Sequence, residues 1–355
     1  MGDVLRYGLI GAGMMGLEHV RNLRLFDDVE VVAASDPHDT SREHALLTKP
    51  DLEVFEDHRE LLQKSDLDAV IIASPNHTHV DVLADVLAGD LHVLVEKPLC
   101  TTVDDCRKVE AAVVGRKGLV WVGMEYRYMA PVARLIQEVH DGAVGALHML
   151  AIREHRFPFL PKVGDWNRFS RNTGGTLVEK CCHFFDLMNL ITRTRPLRVY
   201  ASGAMDVNHQ DERYDGEKPD ILDNAYVIVD YEDGRRALLD LCMFAEGSRN
   251  EQEICAVGDR GKVECFVPES NVVIGTRIPR DVKTEHVPVD EHILKAGFHH
   301  GATYFQHRAF ADAIRGGAPP AVGVPDGLLA VAVGQAGEIS AREKRPVELS
   351  ELGVG

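Results

Sequence analysis

The hydrophobic pattern changes character about one third of the way along the chain. Up to residue 123, short runs of consecutive apolar and β-branched residues alternate with segments in which apolar residues recur every three or four positions. Continuous runs are typical of strands buried on both faces of a parallel sheet, and the wider spacing is typical of amphipathic helices. The predicted strands are residues 7–10, 29–34, 69–73, 92–95 and 119–122, and the predicted helices are residues 14–25, 40–47, 79–88 and 102–116. This alternation predicts a doubly wound parallel sheet over residues 1–123.

Beyond residue 123 the pattern becomes one of many strands and few helices. A helix at 131–139, a strand at 146–154, a polar and aromatic loop at 156–173 and a helix at about 176–191 come first. Six strand candidates follow, at residues 197–204, 224–231, 236–244, 253–257, 263–267 and 272–276, and helices near 303–315 and 325–341 close the chain. Consecutive strands without intervening helices indicate an open, mostly antiparallel sheet. We therefore predict an α/β protein with a second, α+β domain over residues 124–355.

Composition and charge exclude several classes of partner. The chain has 355 residues, and its 39 Lys and Arg against 56 Asp and Glu give a net charge of −17, which repels nucleic acid and anionic lipid. No apolar run approaches the roughly 18 residues of a membrane span, so we expect no membrane partner. The start of the chain lacks the pattern of a secretory signal, and the seven cysteines include no CxxC pair. We expect a cytoplasmic protein with reduced thiols.

After the first predicted strand comes a glycine-rich segment, Gly11-Ala12-Gly13-Met14-Met15-Gly16. Its spacing, between a strand and a helix, is typical of a dinucleotide-binding turn; the alternative is a glycine-rich turn without a ligand. In such a turn Gly11 allows the tight bend, Gly13 lets a pyrophosphate approach the backbone, and Gly16 lets the helix pack on the strand. Asp36 ends the second strand, where a carboxylate accepts hydrogen bonds from ribose hydroxyls. Because no Arg or Lys directly follows Asp36, the sequence favours NAD over NADP.

Polar residues also follow the predicted strands at 69–73 and 92–95, at the carboxyl ends where open α/β sheets bind ligands. These residues are Ser74-Pro75-Asn76-His77-Thr78-His79 and Glu96-Lys97-Pro98. His77 and His79 have no third ligand at useful spacing, so we expect no metal. With the glycine turn and Asp36 at these positions, the chain resembles, nearly end to end, the glucose-fructose oxidoreductase, inositol dehydrogenase and MocA family of sugar and polyol dehydrogenases.

That resemblance implies a Rossmann domain, a second domain whose open sheet often mediates oligomerisation, and a substrate pocket between the two. We therefore expect a homodimer or homotetramer. The resemblance implies that Lys97 contacts both nicotinamide and substrate. It also implies a set of cofactor-binding residues: Gly11, Gly13, Met14, Met15, Gly16, Asp36, Ser74, Pro75, Asn76, His79, Glu96 and Lys97.

The predicted helix after Gly174 and Gly175 carries a second group of polar residues. Glu179, His183 and Asp186 form a stripe about 200° around the helix from its apolar stripe, at roughly 100° per residue. Taken alone, such a stripe is usually a solvated face, but a histidine one turn from a carboxylate also suits proton transfer near neutral pH. The resembling family has a GGxxxDxxxH pattern here, and this chain has Glu179 in place of the aspartate, followed by Lys180.

These residues lead to an expected function. We expect NAD-dependent hydride transfer to or from a secondary hydroxyl of a sugar, an inositol or a sugar derivative, with Lys97, His183 and Glu179 as catalytic residues. Two alternatives stay open at this point: a glycoside hydrolase or lyase that oxidises its sugar transiently, and a non-catalytic dinucleotide sensor. The candidate substrate-binding residues are Lys97, Arg127, Trp166, Arg168, Lys180 and His183, with Tyr128, His300 and Tyr304 as weaker candidates.

Overall fold

The computed structural model describes residues 4–355. Its strands, numbered in chain order, are Leu5–Ile10 (β1), Val29–Ser35 (β2), Glu53–Phe55 (β3), Ala69–Ile72 (β4), His92–Glu96 (β5), Val120–Gly123 (β6), Leu147–His155 (β7), Pro196–Ala204 (β8), Asn224–Tyr231 (β9), Arg236–Cys242 (β10), Gln252–Gly258 (β11), Gly261–Val267 (β12), Asn271–Thr276 (β13), Asp281–His286 (β14) and Val347–Glu348 (β15).

The α-helices, numbered in the same way, are Met14–Leu23 (α1), Asp39–Thr48 (α2), His58–Lys64 (α3), His79–Leu87 (α4), Val103–Ala112 (α5), Ala130–His140 (α6), Ser170–Thr173 (α7), Thr176–Glu179 (α8), Cys182–Thr192 (α9), Glu291–Lys295 (α10), Ala302–Gly316 (α11) and Val324–Glu343 (α12). Short 3-10 turns are Asn76–Thr78, Glu125–Tyr128, Val163–Arg168 and Leu349–Leu352. None of the helices between residues 4 and 355 is both long enough and apolar enough to cross a membrane.

The chain forms two compact units that are not contiguous in sequence. The first unit runs to Tyr128 and also takes Val289–Leu328, and the second comprises Met129–Pro288 and Leu329–Gly355. The predicted domains, residues 1–123 and 124–355, differ from this grouping. The physical reason is that α11 packs against α1 and against the turn after β6, both in the first unit. Hydrophobic periodicity predicts α11 as an element but does not show which sheet it covers.

The first unit contains the doubly wound parallel sheet that the sequence predicts. Its six strands lie in the order β3-β2-β1-β4-β5-β6, and all neighbouring pairs are parallel. Every residue of β4 is buried, as the run Ala69–Ile72 requires of a strand covered by helices on both faces. Strand order reverses between β1 and β4, and sheets of this kind bind ligands at the carboxyl ends of the strands beside that reversal.

The second unit contains an open nine-stranded sheet in the order β14-β13-β12-β11-β7-β10-β9-β8-β15. Within this sheet of the described chain, the β7–β10 pair is parallel and the other neighbouring pairs are antiparallel, which confirms the predicted open, mostly antiparallel sheet. Helix α6 packs on β12 and β13, and α9 packs on β7. The edge strand β14 is exposed at all six positions, so it lacks the apolar alternation by which strands are predicted.

Candidate active site

The glycine turn between β1 and α1 leaves room for a ligand at one position only. Gly11 has φ +95°, and a Cβ on it would stand 2.6 Å from the backbone at Ala73 and Ser74. A Cβ on Gly16 would stand 2.1 Å from the Gly11 carbonyl oxygen, so close packing fills that side as well. Gly13, in contrast, has no atom within 4 Å of the position of a Cβ. The turn therefore fits a pyrophosphate that approaches Gly13 at the N-terminus of α1, with Met14 and Met15 in the first helical turn.

Asp36 lies where the adenosine ribose of a dinucleotide is expected. Its Oδ2 accepts a hydrogen bond from the Ala12 amide at 2.9 Å, and its Oδ1 accepts one from the His38 amide at 2.9 Å. Each carboxylate oxygen can accept a second hydrogen bond, so the side chain can still receive ribose hydroxyls. The structure also places Arg42 here, with Nη1 donating to the Asp36 carbonyl oxygen and Nη2 paired with Asp39. Sequence reasoning considered only the residues directly after Asp36 and missed Arg42, which is one helical turn into α2.

The segment after β4 is tied to the segment after β5 by His79. Its Nδ1 lies 2.8 Å from the Pro98 carbonyl oxygen and its Nε2 lies 3.0 Å from the Ser74 carbonyl oxygen. The side chain is fully buried, and burial lowers the pKa of His79. Because both ring nitrogens face main-chain oxygens, His79 shapes the site by joining two loops; this placement differs from the predicted direct contact with the dinucleotide. Asn76 is buried at the start of the intervening 3-10 turn.

Glu96 and Lys97 stand at the carboxyl end of β5, as predicted, and Glu96 belongs to a buried network that the sequence does not reveal. Its Oε1 lies 3.0 Å from His19 Nε2, and His19 Nδ1 lies 2.8 Å from His307 Nε2. Its Oε2 accepts a hydrogen bond from the Lys97 amide at 3.2 Å. Burial alone would raise the pKa of the Glu96 carboxyl, but His19 and Lys97 hold it below its usual value. Glu96 is therefore an anion directly beside Lys97.

In the second unit, the predicted long helix is two helices. α8 ends at Glu179 and α9 begins at Cys182, so Lys180 and Cys181 form a break. Glu179, His183 and Asp186 are 5%, 2% and 1% exposed, so the polar stripe is buried and is not a solvated face. The sequence interpretation of this stripe as a solvated face treats residues 176–191 as one straight helix with a single buried side. The break and the burial of the helix all round explain the difference.

Glu338 on α12 holds the turn before these helices. Its Oε1 accepts a hydrogen bond from the Leu177 amide at 2.8 Å, inside the first turn of α8. Gly175 has φ +94°, and a Cβ on it would stand 2.4 Å from the Glu338 carboxyl carbon. Burial raises the pKa of Glu338 to about 7. No sequence pattern connects Glu338 with Gly175, so sequence reasoning missed it.

Three of the predicted substrate-binding cations already have carboxylate partners within their own unit. The pairs are Arg127 with Asp326 at 3.1 Å, Arg168 with Glu212 at 2.9 Å and Lys180 with Glu154 at 2.8 Å. Glu154 Oε2 also accepts a hydrogen bond from Gln252 Nε2 at 2.7 Å. The Trp166 carbonyl oxygen accepts from Asn172 Nδ2 at 3.0 Å, and Tyr304 packs on Phe26. Over the described chain, no group of three or more His, Cys, Asp or Glu side chains is arranged to hold a metal ion.

Each of the two sheets lies in a part of the chain that matches a known protein family. Residues 5–124 match the model of the Gfo/Idh/MocA oxidoreductase family for an NAD-binding Rossmann fold. Residues 136–349 match the model for the C-terminal alpha/beta domain of the same family. The chain belongs to the Gfo/Idh/MocA oxidoreductase family. The glycine turn, Asp36 and the Glu96-Lys97-Pro98 segment all lie inside the first match, and His183 lies inside the second.

Similar proteins in this family include dehydrogenases of inositol. The myo-inositol 2-dehydrogenase of Thermotoga maritima is 27% identical over 350 residues, which are 98% of this chain and 99% of that protein. The inositol 2-dehydrogenase of Salmonella typhimurium is 31% identical over 202 residues, 55% of this chain and 57% of that protein. The crystal structure of a probable dehydrogenase from Thermotoga maritima superposes with a TM-score of 0.79 at 25% identity, covering 98% of this chain and 100% of that one.

Proposed function

We propose that the protein is an NAD-dependent dehydrogenase that oxidises a secondary hydroxyl of a sugar, an inositol or a sugar derivative, or reduces the corresponding ketone. The observation that carries this proposal is the turn at Gly11, Gly13 and Gly16, which is closed at two glycines and open at the third, with Asp36 beside it. Similarity to an inositol dehydrogenase over nearly the whole of both chains supports the class of substrate.

The chemistry assigns a role to each candidate catalytic residue. Bound NAD supplies the acceptor for the hydride that leaves the carbinol carbon. His183 takes the hydroxyl proton, and the Lys97 ammonium stabilises the negative charge that develops on the oxygen. Glu179 orients the imidazole and favours its protonated form. Hydrogen bonding to sugar hydroxyls and contact with a sugar face are the roles proposed for Trp166 and its neighbours.

We propose further that the substrate is uncharged. An anionic substrate gains most from a cation that is available to it, and Arg127, Arg168 and Lys180 are each within 3.1 Å of a carboxylate of the protein. A phosphate or carboxylate group would have to displace a carboxylate that is already in place. Hydroxyl groups can instead donate hydrogen bonds to those carboxylates. The neutral polyol should therefore be used better than its acid or its phosphate ester.

NAD is proposed as the preferred cofactor over NADP. The Asp36 carboxylate would stand next to a 2′-phosphate and repel it. Arg42 could attract that phosphate, but its guanidinium is engaged by Asp39 and by the Asp36 carbonyl oxygen. We expect a higher kcat/KM with NAD than with NADP, and Asp36→Ala should relax this preference. Equal or better use of NADP by the unaltered protein would contradict the assignment.

A homodimer or homotetramer is proposed on the basis of one face of the nine-stranded sheet. Tyr200, Ile228 and Leu238 lie side by side on β8, β9 and β10, and all three are exposed, as are Met149 and Tyr226. Large apolar side chains grouped on one face of a sheet are typical of a surface that binds another protein. Analytical ultracentrifugation should show an oligomer that Ile228→Lys weakens. A monomer in the unaltered protein would contradict this proposal.

A reducing compartment is proposed from the thiols. No disulfide joins any of the seven cysteines, all of which lie in the described part of the chain, and Cys181 and Cys265 are fully buried. Burial raises the pKa of both thiols, which makes them unreactive. Such cysteines are typical of proteins that stay in the cytoplasm.

A substrate panel tests the proposed activity. Purified protein with NAD is given inositol isomers, aldoses, and matched uronic acids and sugar phosphates, and absorbance of NADH is followed. The account predicts NADH formation with at least one neutral polyol or sugar, and less with its charged counterparts. Cleavage of a glycosidic bond without accumulation of NADH would contradict it and support the hydrolase or lyase chemistry.

A further inference from the structure

Glu125 is a buried carboxyl group that the proposed mechanism does not use. It lies two residues after the end of β6, and Gly123 of β6 pairs with Glu96 of the adjacent strand β5. The carboxyl ends of two neighbouring parallel strands therefore each carry a glutamate. Glu125 is 1% exposed and Glu96 is 5% exposed. Two buried carboxyl groups that act on each other electrostatically do not both ionise readily.

The charged groups that face Glu125 come from two directions. Glu96 and Lys97 act on it from the end of β5, and His299 acts from the loop before α11, with its Nε2 3.8 Å from Glu125 Oε1. Burial, and then the negative charge of Glu96, raise the pKa of Glu125 to about 7, although His299 and Lys97 act in the opposite direction. Glu125 is thus poised to gain or lose a proton near neutral pH.

His299 connects this buried group with solvent. Its side chain is 23% exposed. Its Nδ1 lies 2.8 Å from Glu18 Oε1, and that oxygen also accepts hydrogen bonds from Thr303 Oγ1 at 3.2 Å and from the Phe298 amide at 3.1 Å. Glu18 is an anion because His299 and the Phe298 amide lower the pKa of its carboxyl against the opposing effect of burial. A proton can therefore pass between Glu125 and solvent by way of a held, partly exposed imidazole.

The same strand ends are where the far half of a dinucleotide must lie. The glycine turn after β1 fits the pyrophosphate, and Asp36 after β2 fits the adenosine ribose. A dinucleotide crosses the point where the strand order reverses, so its other half extends over the carboxyl ends of β4, β5 and β6. The nicotinamide ring carries a positive charge when oxidised and none when reduced. A carboxylate at these strand ends therefore interacts differently with the two forms.

We propose that Glu125 is a proton-linked selector between the oxidised and the reduced cofactor. With NAD⁺ the O–H bond of Glu125 breaks, its proton passes through His299 to solvent, and the carboxylate remains beside the nicotinamide cation. With NADH, which brings no positive charge, the protonation state of Glu125 does not change. This inference rests on the dinucleotide-binding part of the proposed function and is independent of the substrate.

The direction of the pH effect follows from linkage. A nearby positive charge lowers the pKa of a carboxyl group, so NAD⁺ binding releases protons at pH values between the pKa in the nucleotide complex and the value of about 7 without nucleotide. The affinity for NAD⁺ therefore rises with pH up to about 7 and then levels off, whereas the affinity for NADH changes little. A group of this kind would therefore raise the preference for the oxidised over the reduced cofactor as pH rises to about 7.

Isothermal titration calorimetry without substrate tests the proposal. NAD⁺ and NADH are titrated into the protein at several pH values from about 5.5 to about 8.5, roughly the range over which such a carboxyl group titrates. Each titration is made in two buffers that differ in ionisation enthalpy, and the difference in heat gives the number of protons released per nucleotide. The number of protons released should be large at about pH 6.5. At that pH we expect the release of roughly half a proton per NAD⁺ bound and almost none per NADH bound. Glu125→Gln should abolish the release and weaken NAD⁺ about tenfold, with NADH changed by less than about threefold.

Two further variants keep the test decisive. His299→Gln removes a positive charge that lowers the pKa of Glu125, so the pH of maximal proton release should rise. Glu338→Gln is the matched control, because Glu338 is also a buried carboxyl with a pKa raised to about 7 but belongs to the second unit; it should leave the proton count unchanged. Equal proton counts for NAD⁺ and NADH, or an unchanged count in Glu125→Gln, would overturn the selector alone. Failure to bind either nucleotide would overturn the selector together with the proposed function.

Discussion

Each unit has a glycine turn in which a side chain would clash with neighbouring atoms, but the kind of atom that it would meet differs between the two turns. In the first turn, a side chain on Gly11 or Gly16 would meet backbone atoms of the turn itself and of the segment after β4. In the second, a side chain on Gly175 would meet the carboxyl group of Glu338, which comes from α12. Backbone cannot yield, whereas a side chain can move. The first turn is therefore held by backbone atoms, its own and those of the segment after β4, and the second is held by a side chain of α12.

The largest effect should come from the first turn. Gly11→Ala places a methyl group against backbone at 2.6 Å and at a positive φ, so we expect loss of NADH binding by about 100-fold or more, measured by fluorescence titration. Gly13→Ala is the matched control for folding, because no atom lies near its Cβ. Gly13→Ala should unfold at a temperature close to that of the unaltered protein. Its affinity for NADH should nevertheless be lower, because the added methyl group occupies the position assigned to the pyrophosphate. Undiminished binding in both variants would contradict the assignment of this turn.

Lys97→Ala should separate chemistry from nucleotide binding. The groups assigned to the pyrophosphate and ribose are the glycine turn and Asp36, so NADH affinity should stay within a few-fold. Turnover should fall by about 100-fold or more, since a positioned electrostatic group is typically worth that much. Steady-state assays beside fluorescence titration measure the two effects. Retention of more than about a tenth of the activity would remove Lys97 from the chemical step.

Glu179→Gln should have a smaller effect on turnover, and that effect should be confined to the proton-transfer step. We expect turnover to fall about tenfold and the rise of rate with pH to occur at lower pH, because loss of a negative charge disfavours the imidazolium form of His183. Glu179→Asp keeps the charge and should keep substantial activity. A pH–rate profile that is identical in Glu179→Gln and the unaltered protein would make Glu179 a bystander, and Asp186 would be the next residue to test.

The smallest effect should be on stability, at Glu338. Burial raises its pKa in the folded protein to about 7, above the ordinary value near 4.5, so the folded state holds a proton that the unfolded state has lost. The free energy of unfolding should therefore decline as pH rises from about 4.5 to about 7, and Glu338→Gln should remove this part of the decline. Denaturant unfolding at several pH values measures it. Parallel pH dependence in both proteins would show that Glu338 is ionised throughout.

Sequence patterns predicted more of the candidate site residues in the first unit than of those in the second unit. The turn at Gly11, the place of Asp36 at a strand end and the polar ends of β4 and β5 follow from strand and helix periodicity and from the spacing of the glycines. The break at Lys180, the burial of Asp186 and the contact of Glu338 with the α8 turn depend on helices that meet only after folding. A pattern with a period of 3.6 residues shows one apolar face and cannot show that a helix is buried all round.

The same limit applies to the ionic networks. No sequence pattern marks His19, His307 and His299 as members of these networks. The reason is that α11 and the loop before it belong to the first unit, although most of the second unit precedes them in the sequence. Glu125 follows a predicted strand end, as Lys97 does, and that position was the available signal. Its surroundings, which give it a pKa near neutral, could be found only in the folded unit.

The central claim is tested most directly by following the hydrogen itself. The best neutral substrate from the panel is labelled with deuterium at the oxidised carbon, and the protein is incubated with it and NAD. The account predicts that deuterium appears at C4 of the nicotinamide and that one reduced cofactor forms for each ketone produced. Return of the deuterium to the sugar product, with no net reduced cofactor and a cleaved glycosidic bond, would contradict it.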